Sequence, residues 1–220
     1  FRMDPEVPLV VPEVNPQAIL KHKGIIANPN CSTIIMVMAL KPIYDLAKIK
    51  RVIVSTYQAV SGAGKEGIDE LDAQVRDHSE GREMTANILP SASAEKHYPI
   101  AFNLIPQIDV FCDNLYTKEE MKMVNETKKI MEDYEMRITA TTIRVPVYRS
   151  HSESVNIELE KEVDLGAMRE ALAKFPGVTV QDDPSKQEYP MPLYTSEKDD
   201  VYVGRLRRDE SCEKSYNIWV

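Results

Sequence analysis

The residue with the clearest potential for chemistry is Cys31, which directly follows the turn sequence Asn28-Pro29-Asn30. Ser32 and Thr33 come next, and both residue types cap helices. A thiol at the start of a helix faces unpaired N–H groups and the positive end of the helix dipole, which favour the thiolate. We therefore expect Cys31 to be a reactive thiolate. The alternative is a cysteine that packs as a small hydrophobic side chain.

The residues around this turn predict a strand before it and a helix after it. Residues 25–27 form a short apolar run, typical of a strand. Residues 34–40 are apolar throughout and predict a buried helix, with a second helical stretch after Pro42. Residues 1–23 predict an irregular, proline-rich segment.

A glycine-rich loop lies between a predicted strand at 51–57 and a predicted helix. Residues 61–67, Ser-Gly-Ala-Gly-Lys-Glu-Gly, match the pattern G-x-G-x-x-G. A complete dinucleotide fold would also need a second parallel strand that ends in an acidic residue roughly 20 positions later. Residues 81–116 are instead extended and proline-bearing, so we predict a loop that contacts a ligand only from the side. The helix after the loop is predicted to bury three residues on one face: Ile68, Leu71 and Val75.

A further helix begins at the capping box Thr117-Lys118-Glu119-Glu120. Glu119 and Lys122 are three positions apart on one helix face, so both can point to the same site. The alternative is a solvated surface ion pair. The inward face of this helix is predicted as Met121, Val124, Lys128 and Met131.

A histidine completes the set of reactive residues. His151 lies in a polar loop between predicted strands at 137–147 and 155–159, whereas His22, His78 and His97 lie in charged or loop contexts without a comparable set of neighbours. A cysteine nucleophile needs a general base, which is generally remote in sequence. After the second strand, Asp164 caps a helix, and residues 201–206 and 216–220 predict two more strands.

The composition excludes several classes of protein. The chain has 220 residues and a net charge of −8, and nucleic-acid binding needs a basic surface. No apolar run reaches the length of a membrane span, and three distant cysteines argue against a disulfide framework. We expect a cytoplasmic protein that binds neither nucleic acid nor membrane, and we predict no metal site.

Several segments resemble the aspartate-β-semialdehyde dehydrogenases. They occur in the family's order and extend over nearly the whole chain. The matching segments are residues 28–33, 55–64, 103–108, 119–122 and 144–147 leading to His151.

The resemblance implies a role for each candidate residue. Cys31 would be the nucleophile that forms a thiohemiacetal and an acyl-thioester, His151 the general acid/base, and Gln58 the residue that orients the substrate. The substrate α-carboxylate would bind Arg144 and its α-amino group Glu119. Phosphate would bind Lys122, Asn30 and Arg2, and the loop residues Ser61 and Gly62 would lie near the nicotinamide of NADP.

The resemblance also implies the fold and the assembly. It predicts an α+β domain with a mixed, mostly antiparallel sheet and helices on one face, like the second domain of glyceraldehyde-3-phosphate dehydrogenase. Residues 1–220 would be the catalytic and dimerisation domain of a longer two-domain enzyme, without its nucleotide-binding domain and final helix. The implied partners are a small-molecule substrate, inorganic phosphate and further copies of the chain in a homodimer or homotetramer.

The implied reaction is the NADP-dependent reductive dephosphorylation of L-4-aspartyl phosphate to the semialdehyde, in the pathway to lysine, threonine and methionine. We expect the 220 residues to be inactive alone, because most of the NADP site would lie on the missing domain. One alternative is N-acetyl-γ-glutamyl-phosphate reductase, against which the ammonium partner Glu119 argues, since an acetylated amine carries no charge. The other is a non-catalytic oligomerisation module.

Overall fold

A computed structural model describes residues 1–220, which form a six-stranded mixed sheet with the strand order β2-β1-β3-β6-β5-β4. The strands β1 and β2 are parallel, as are β4 and β5, while the other three pairs are antiparallel. This confirms the predicted α+β class and its mostly antiparallel sheet. The strands are β1 Ile49–Gln58, β2 Arg137–Arg144, β3 Ser152–Leu159, β4 Val178–Val180, β5 Val201–Arg208 and β6 Ser215–Trp219.

Three of the five helices, α1, α3 and α4, pack on one face of the sheet. Alternating side chains of β1 explain this arrangement, because Val52 and Val54 are buried against the helices while Arg51 and Ile53 face the other side. No helix is long and apolar enough to cross a membrane. The helices are α1 Cys31–Leu46, α2 Gly64–Ser79, α3 Lys118–Met131, α4 Leu165–Lys174 and α5 Pro192–Thr195, and short 3₁₀ helices lie at Pro16–Lys21, Val60–Ala63 and Pro184–Lys186.

The start of α1 differs from its prediction in two ways. The cap is Asn30, whose side-chain oxygen accepts a hydrogen bond from the Thr33 N–H at 3.1 Å, and neither Ser32 nor Thr33 caps the helix. The helix continues through Pro42 as one element, because burial of its apolar side chains outweighs the one hydrogen bond that proline cannot donate.

The strand predicted at residues 25–27 is absent, because this segment has no neighbouring strand with which to form a ladder. Ala27 forms only an isolated bridge with Leu9, and Ile25 and Ile26 are exposed. Residues 108–111 form no strand either, since the bridge between Phe111 and Thr117 is isolated.

The capping box of α3 is confirmed, but its predicted inward face is wrong. The Thr117 hydroxyl accepts from the Glu120 N–H at 3.2 Å, and the Glu120 carboxylate accepts from the Thr117 N–H at 2.7 Å. The buried face includes several polar residues, because they find partners on other elements. Its members are Glu119, Glu120, Met123, Glu126, Thr127 and Ile130. The buried face of helix α2 is closer to its prediction. Leu71 is buried as predicted, but Gln74 is buried in place of Val75, which is exposed.

Candidate active site

The nucleophile candidate is held by a buried turn at the start of α1. Cys31 is the first residue of the helix and its side chain is exposed to solvent. The preceding residue, Asn30, makes three fixed contacts. In addition to capping the helix, its side-chain amide donates to Glu119 Oε1 at 2.7 Å, and its backbone N–H donates to Glu126 Oε2 at 2.6 Å. The backbone that carries the thiol is therefore tied directly to α3.

Two strand ends bring a second pair of candidates to the same edge of the sheet. Gln58 and Arg144 are register partners at the ends of the parallel strands β1 and β2, and both are buried. Carboxyl ends of parallel strands meet at one edge, which explains how residues 86 positions apart become neighbours. Gln58 Nε2 donates to Glu119 Oε1 at 3.4 Å, so this pair also borders α3.

The peptide of Ala59 orients both Arg144 and His151. Its carbonyl accepts from Arg144 Nη1 at 2.7 Å, and its N–H donates to His151 Nδ1 at 3.0 Å. Because Nδ1 accepts a hydrogen bond, the neutral imidazole carries its proton on Nε2. The Nε2 atom faces Gly62, where an added Cβ would lie 3.5 Å away.

The first turn of α3 carries a network of opposite charges. The Lys122 ammonium lies 3.2 Å from Glu119 Oε2 and 3.0 Å from Asp109 Oδ2. Burial alone would lower the pKa of Lys122, but the hydrogen bond to Asp109 and the charge of Glu119 outweigh burial and raise it. Lys122 is therefore a stable cation that two carboxylates hold in place.

Most of the candidate residues line one open cleft of about 560 Å³. Two of the candidates do not line it. His151 borders a second cavity of about 340 Å³ that shares Ile34 with the cleft. The backbone N–H of Ser61 donates to the Tyr148 carbonyl at 3.0 Å. The candidates in the cleft are Arg2, Asn30, Cys31, Gln58, Gly62, Glu119, Lys122 and Arg144.

The electrostatics of the cleft contradict the expectation of a resting thiolate. The cleft walls partly desolvate the accessible thiol, and this desolvation together with the negative charge of Glu119 raises the pKa of Cys31. The neighbouring Ser32 and the positive charge of Arg144 act to lower this pKa and do not compensate. The helix start therefore does not by itself produce a thiolate.

His151 is neutral at neutral pH. Burial, helped by the nearby Arg144 charge, lowers the pKa of His151 to about 4. Burial also lowers the pKa of Arg144, and no protein group accepts from the Arg144 Nε atom. Arg144 thus keeps donor capacity that the protein itself does not use.

Three contributions to the site were missed from the sequence: the Ala59 peptide, Asp109 and Glu126. No side-chain pattern could reveal the first, because it acts through its backbone. Asp109 depends on the path of the long segment 81–116. Glu126 was detectable, since it follows Glu119 by seven residues and so lies on the same face of α3.

Sequence and structure comparisons agree on the family. The sequence model described as "Semialdehyde dehydrogenase, dimerisation domain" matches residues 40–220. The chain belongs to this semialdehyde dehydrogenase family. The resemblance drawn from the motifs is therefore confirmed.

Individual relatives of this family member carry a more specific name. The chain is 54% identical to an aspartate-semialdehyde dehydrogenase of Aquifex aeolicus and 52% identical to that of Bacillus subtilis, in both cases over 100% of the chain and 64% of the relative. The crystal structure of aspartate semialdehyde dehydrogenase II from Vibrio cholerae superposes with a TM-score of 0.92 at 46% identity, covering 100% of this chain and 63% of that one. The chain therefore spans a little less than two thirds of the length of these relatives.

Proposed function

We propose that this chain is the catalytic and dimerisation domain of an aspartate-semialdehyde dehydrogenase, which converts L-4-aspartyl phosphate to L-aspartate-4-semialdehyde with NADPH. The observation that carries the proposal is the cleft itself, where Cys31 at the start of a helix shares one opening with Arg144, Glu119 and Lys122. Its relatives support the substrate class, since a second Vibrio cholerae structure of this enzyme is described as complexed with ASA. We expect the enzyme to work in the cytoplasm.

The charges of the cleft match the three charged groups of an aspartyl phosphate. The guanidinium of Arg144 can bind a carboxylate through two parallel N–H groups, and Glu119 can pair with an ammonium group. Lys122, Asn30 and Arg2 form the part of the cleft suited to phosphate. An acetylated amine has no charge for Glu119 to bind, so the cleft favours the free amino acid over an N-acetyl-glutamyl substrate.

Substrate binding favours ionisation of the Cys31 thiol. When the substrate ammonium pairs with Glu119, the negative charge that helps to raise the pKa of Cys31 is neutralised. The sulfur then attacks the carbonyl carbon, the bond from that carbon to the phosphate oxygen breaks, and the phosphate leaves with the thiol proton. The product of this step is an acyl-thioester on Cys31.

His151 acts on the carbonyl oxygen in this scheme. Its neutral ring, held by Ala59, presents the Nε2 proton toward the side of the cleft at Gly62 and can donate it to an oxygen that gains negative charge. Gln58 fixes Glu119 and contributes a further amide donor. Return of the proton to His151 accompanies breakage of the carbon–sulfur bond and release of the aldehyde, and the Cys31 thiolate that is left takes up a proton from solvent to restore the thiol.

The site fits one end of a nicotinamide cofactor but not the whole molecule. Gly62 lines the cleft as bare backbone and packs so closely against Arg144 that an added Cβ would lie 2.8 Å from Arg144 Nη1. Gly67 packs equally closely, since an added Cβ would lie 2.7 Å from the Val60 carbonyl oxygen. Strands β1 and β2 are parallel neighbours, but the helix that packs on β2 is α3 and not α2, which follows the glycine-rich loop, so the loop does not open a compact dinucleotide-binding βαβ unit. Ser61 and Gly62 would lie beside the nicotinamide, and NADPH, when bound, supplies the hydride that reduces the thioester.

The sheet face opposite the helices is the proposed self-association surface. It carries half-buried Ile53, Tyr57, Ile143 and Trp219, and the rings of Tyr57 and Trp219 lie 5.6 Å apart. A sheet that presents such residues to solvent is typical of an interface. We propose that it forms a homodimer, which can assemble further into a tetramer.

The decisive experiment measures turnover in the complete two-domain enzyme. We expect reduction of NADP with aspartate semialdehyde and phosphate, and none with N-acetyl-glutamate semialdehyde. Cys31→Ala should lose several orders of magnitude in kcat, and His151→Ala a smaller factor of about 10²–10⁴. The matched controls Cys112→Ala and Cys212→Ala should retain activity. Near wild-type turnover in Cys31→Ala would refute the proposal.

A further inference from the structure

The buried face of α3 carries a carboxylate that the proposed reaction does not use. The side chain of Glu126 is 1% exposed. Its Oε2 atom accepts from the backbone N–H of Asn30 at 2.6 Å, directly before the nucleophile, and its Oε1 atom lies 3.4 Å from Arg2 Nη1. One carboxylate thus contacts both the turn that carries Cys31 and a cation of the proposed phosphate site.

The next turn of α3 holds the same N-terminal segment through its backbone. Lys129 Nζ donates to the carbonyl oxygens of Arg2, Asp4 and Val7 at 2.8, 2.7 and 2.8 Å. A single ammonium therefore satisfies three carbonyl groups and fixes residues 2–7 against α3. Glu126 and Lys129 are three positions apart on one helix face, so they act on the segment side by side.

The contact between Glu126 and Arg2 leaves most of the guanidinium unused. Only Nη1 takes part, the Arg2 side chain remains 41% exposed, and Arg2 lines the cleft. A guanidinium has five N–H donors in a planar fork. When a carboxylate holds one edge, the other edge remains available to a phosphate in a defined orientation.

Burying the Glu126 carboxylate costs free energy, because its charge loses its contact with water. Burial raises the pKa of Glu126 even though Asn30 and Arg2 act to lower it. Replacing a whole buried ion pair by well-packed apolar residues is often neutral for stability, so a buried charge is not explained by stability alone. Its two contacts, one to Asn30 and one to Arg2, supply a reason for keeping the charge.

We propose that Glu126 is a positioning residue that aims Arg2 at the phosphate. Lys129 supports this function by holding the backbone of the Arg2 segment. The inference deepens the proposed function and rests on it, since it takes Arg2 as part of the phosphate site.

The experiment measures phosphate binding without turnover. In the complete enzyme, bound phosphate should protect Cys31 from iodoacetamide, and the readout is the phosphate concentration that halves the alkylation rate. Glu126→Gln keeps an acceptor for the Asn30 N–H but removes the charge that orients Arg2. We expect it to raise this concentration about tenfold, with each variant's protection measured relative to its own alkylation rate without phosphate. The matched control Glu132→Gln removes an exposed carboxylate at the end of the same helix, paired with Lys21 at 3.2 Å, and should change nothing.

A double-mutant cycle separates positioning from a general structural role. Arg2→Ala should also raise the half-protecting concentration, and adding Glu126→Gln to Arg2→Ala should have no further effect. An equal effect of Glu126→Gln in both backgrounds, or no effect in the wild type, would overturn the inference, as would a wild type that phosphate does not protect. If Glu126→Gln does not fold, Lys129→Met replaces it, and unchanged protection in that variant would overturn the inference. Absence of turnover with aspartate semialdehyde would instead refute the proposed function. The protection of Cys31 by phosphate would still decide whether Glu126 positions Arg2.

Discussion

A single added methyl group at Gly62 tests whether Arg144 and His151 must keep their positions. In Gly62→Ala the new Cβ would lie 2.8 Å from Arg144 Nη1 and 3.4 Å from His151 Cε1. Ordinary contact begins at 3.4 Å, so the guanidinium has to move by about 0.6 Å, while the imidazole can stay. The movement stretches the 2.7 Å hydrogen bond from Arg144 to the Ala59 carbonyl.

The expected loss follows from the size of this movement. A misplacement of about 1 Å in a catalytic site can cost about 10²-fold in rate, so a shift of about 0.6 Å corresponds to about tenfold to thirtyfold. This is about 1.4–2 kcal/mol in activation free energy. We expect the loss in kcat/KM for aspartate semialdehyde, measured by steady-state reduction of NADP in the complete enzyme.

Gly64→Ala is the matched control in the same loop. Gly64 has φ +80°, and nothing lies within 4 Å of an added Cβ. With ψ −170°, this backbone lies in a region that is essentially restricted to glycine, so alanine there costs about 1–3 kcal/mol of stability but touches no site residue. Thermal unfolding should therefore shift in Gly64→Ala, while its kcat/KM stays within about twofold of wild type. Equal kinetic losses in the two variants, or no loss in Gly62→Ala, would refute the reasoning.

Four further predictions concern the charges of the site and the extent of the chain. Arg144→Lys should raise the KM for semialdehyde and leave the KM for phosphate nearly unchanged, because a point charge cannot replace a bidentate guanidinium. Lys122→Ala should instead raise the KM for phosphate and leave the KM for semialdehyde nearly unchanged. Equal rises of both constants in both variants would contradict this division. Glu119→Gln removes a charge that raises the pKa of Cys31, so the midpoint of its alkylation should move to lower pH, and an unchanged or higher midpoint would count against the assignment. Because the pKa of His151 is about 4 in the folded protein, the unfolded state binds the extra proton between pH 6.5 and 4. The free energy of unfolding should therefore fall by up to about 3 kcal/mol as the pH decreases through this range, and His151→Asn should reduce the dependence in urea titrations; identical pH profiles would show that the ring is not held neutral. Finally, the isolated 220-residue chain should be a dimer by light scattering, without calorimetric binding or reduction of NADP, and robust turnover would show that the glycine-rich loop binds the cofactor by itself.

The sequence alone determined the features that depend on neighbouring residues. The capping box at Thr117 and Glu120 forms through side chains and N–H groups within one turn, so its spacing is sufficient to predict it. The strand around 51–57 and the helix capped by Asp164 are encoded in the same local way. The position of Cys31 at a helix start also followed from the turn before it, although the cap is Asn30.

Tertiary structure decided the burial and the ionisation of the site. The predicted inward face of α3 was wrong because Glu119 and Glu126 are buried against Asn30. This partner is about 90 positions away, and hydrophobic periodicity within the helix carries no information about it. The raised pKa of Cys31 has the same origin, since the charge of Glu119 and the walls of the cleft outweigh the local helix start. Helix caps act over one turn of backbone, whereas desolvation and charge depend on every element packed around a group, so only the folded chain determines them.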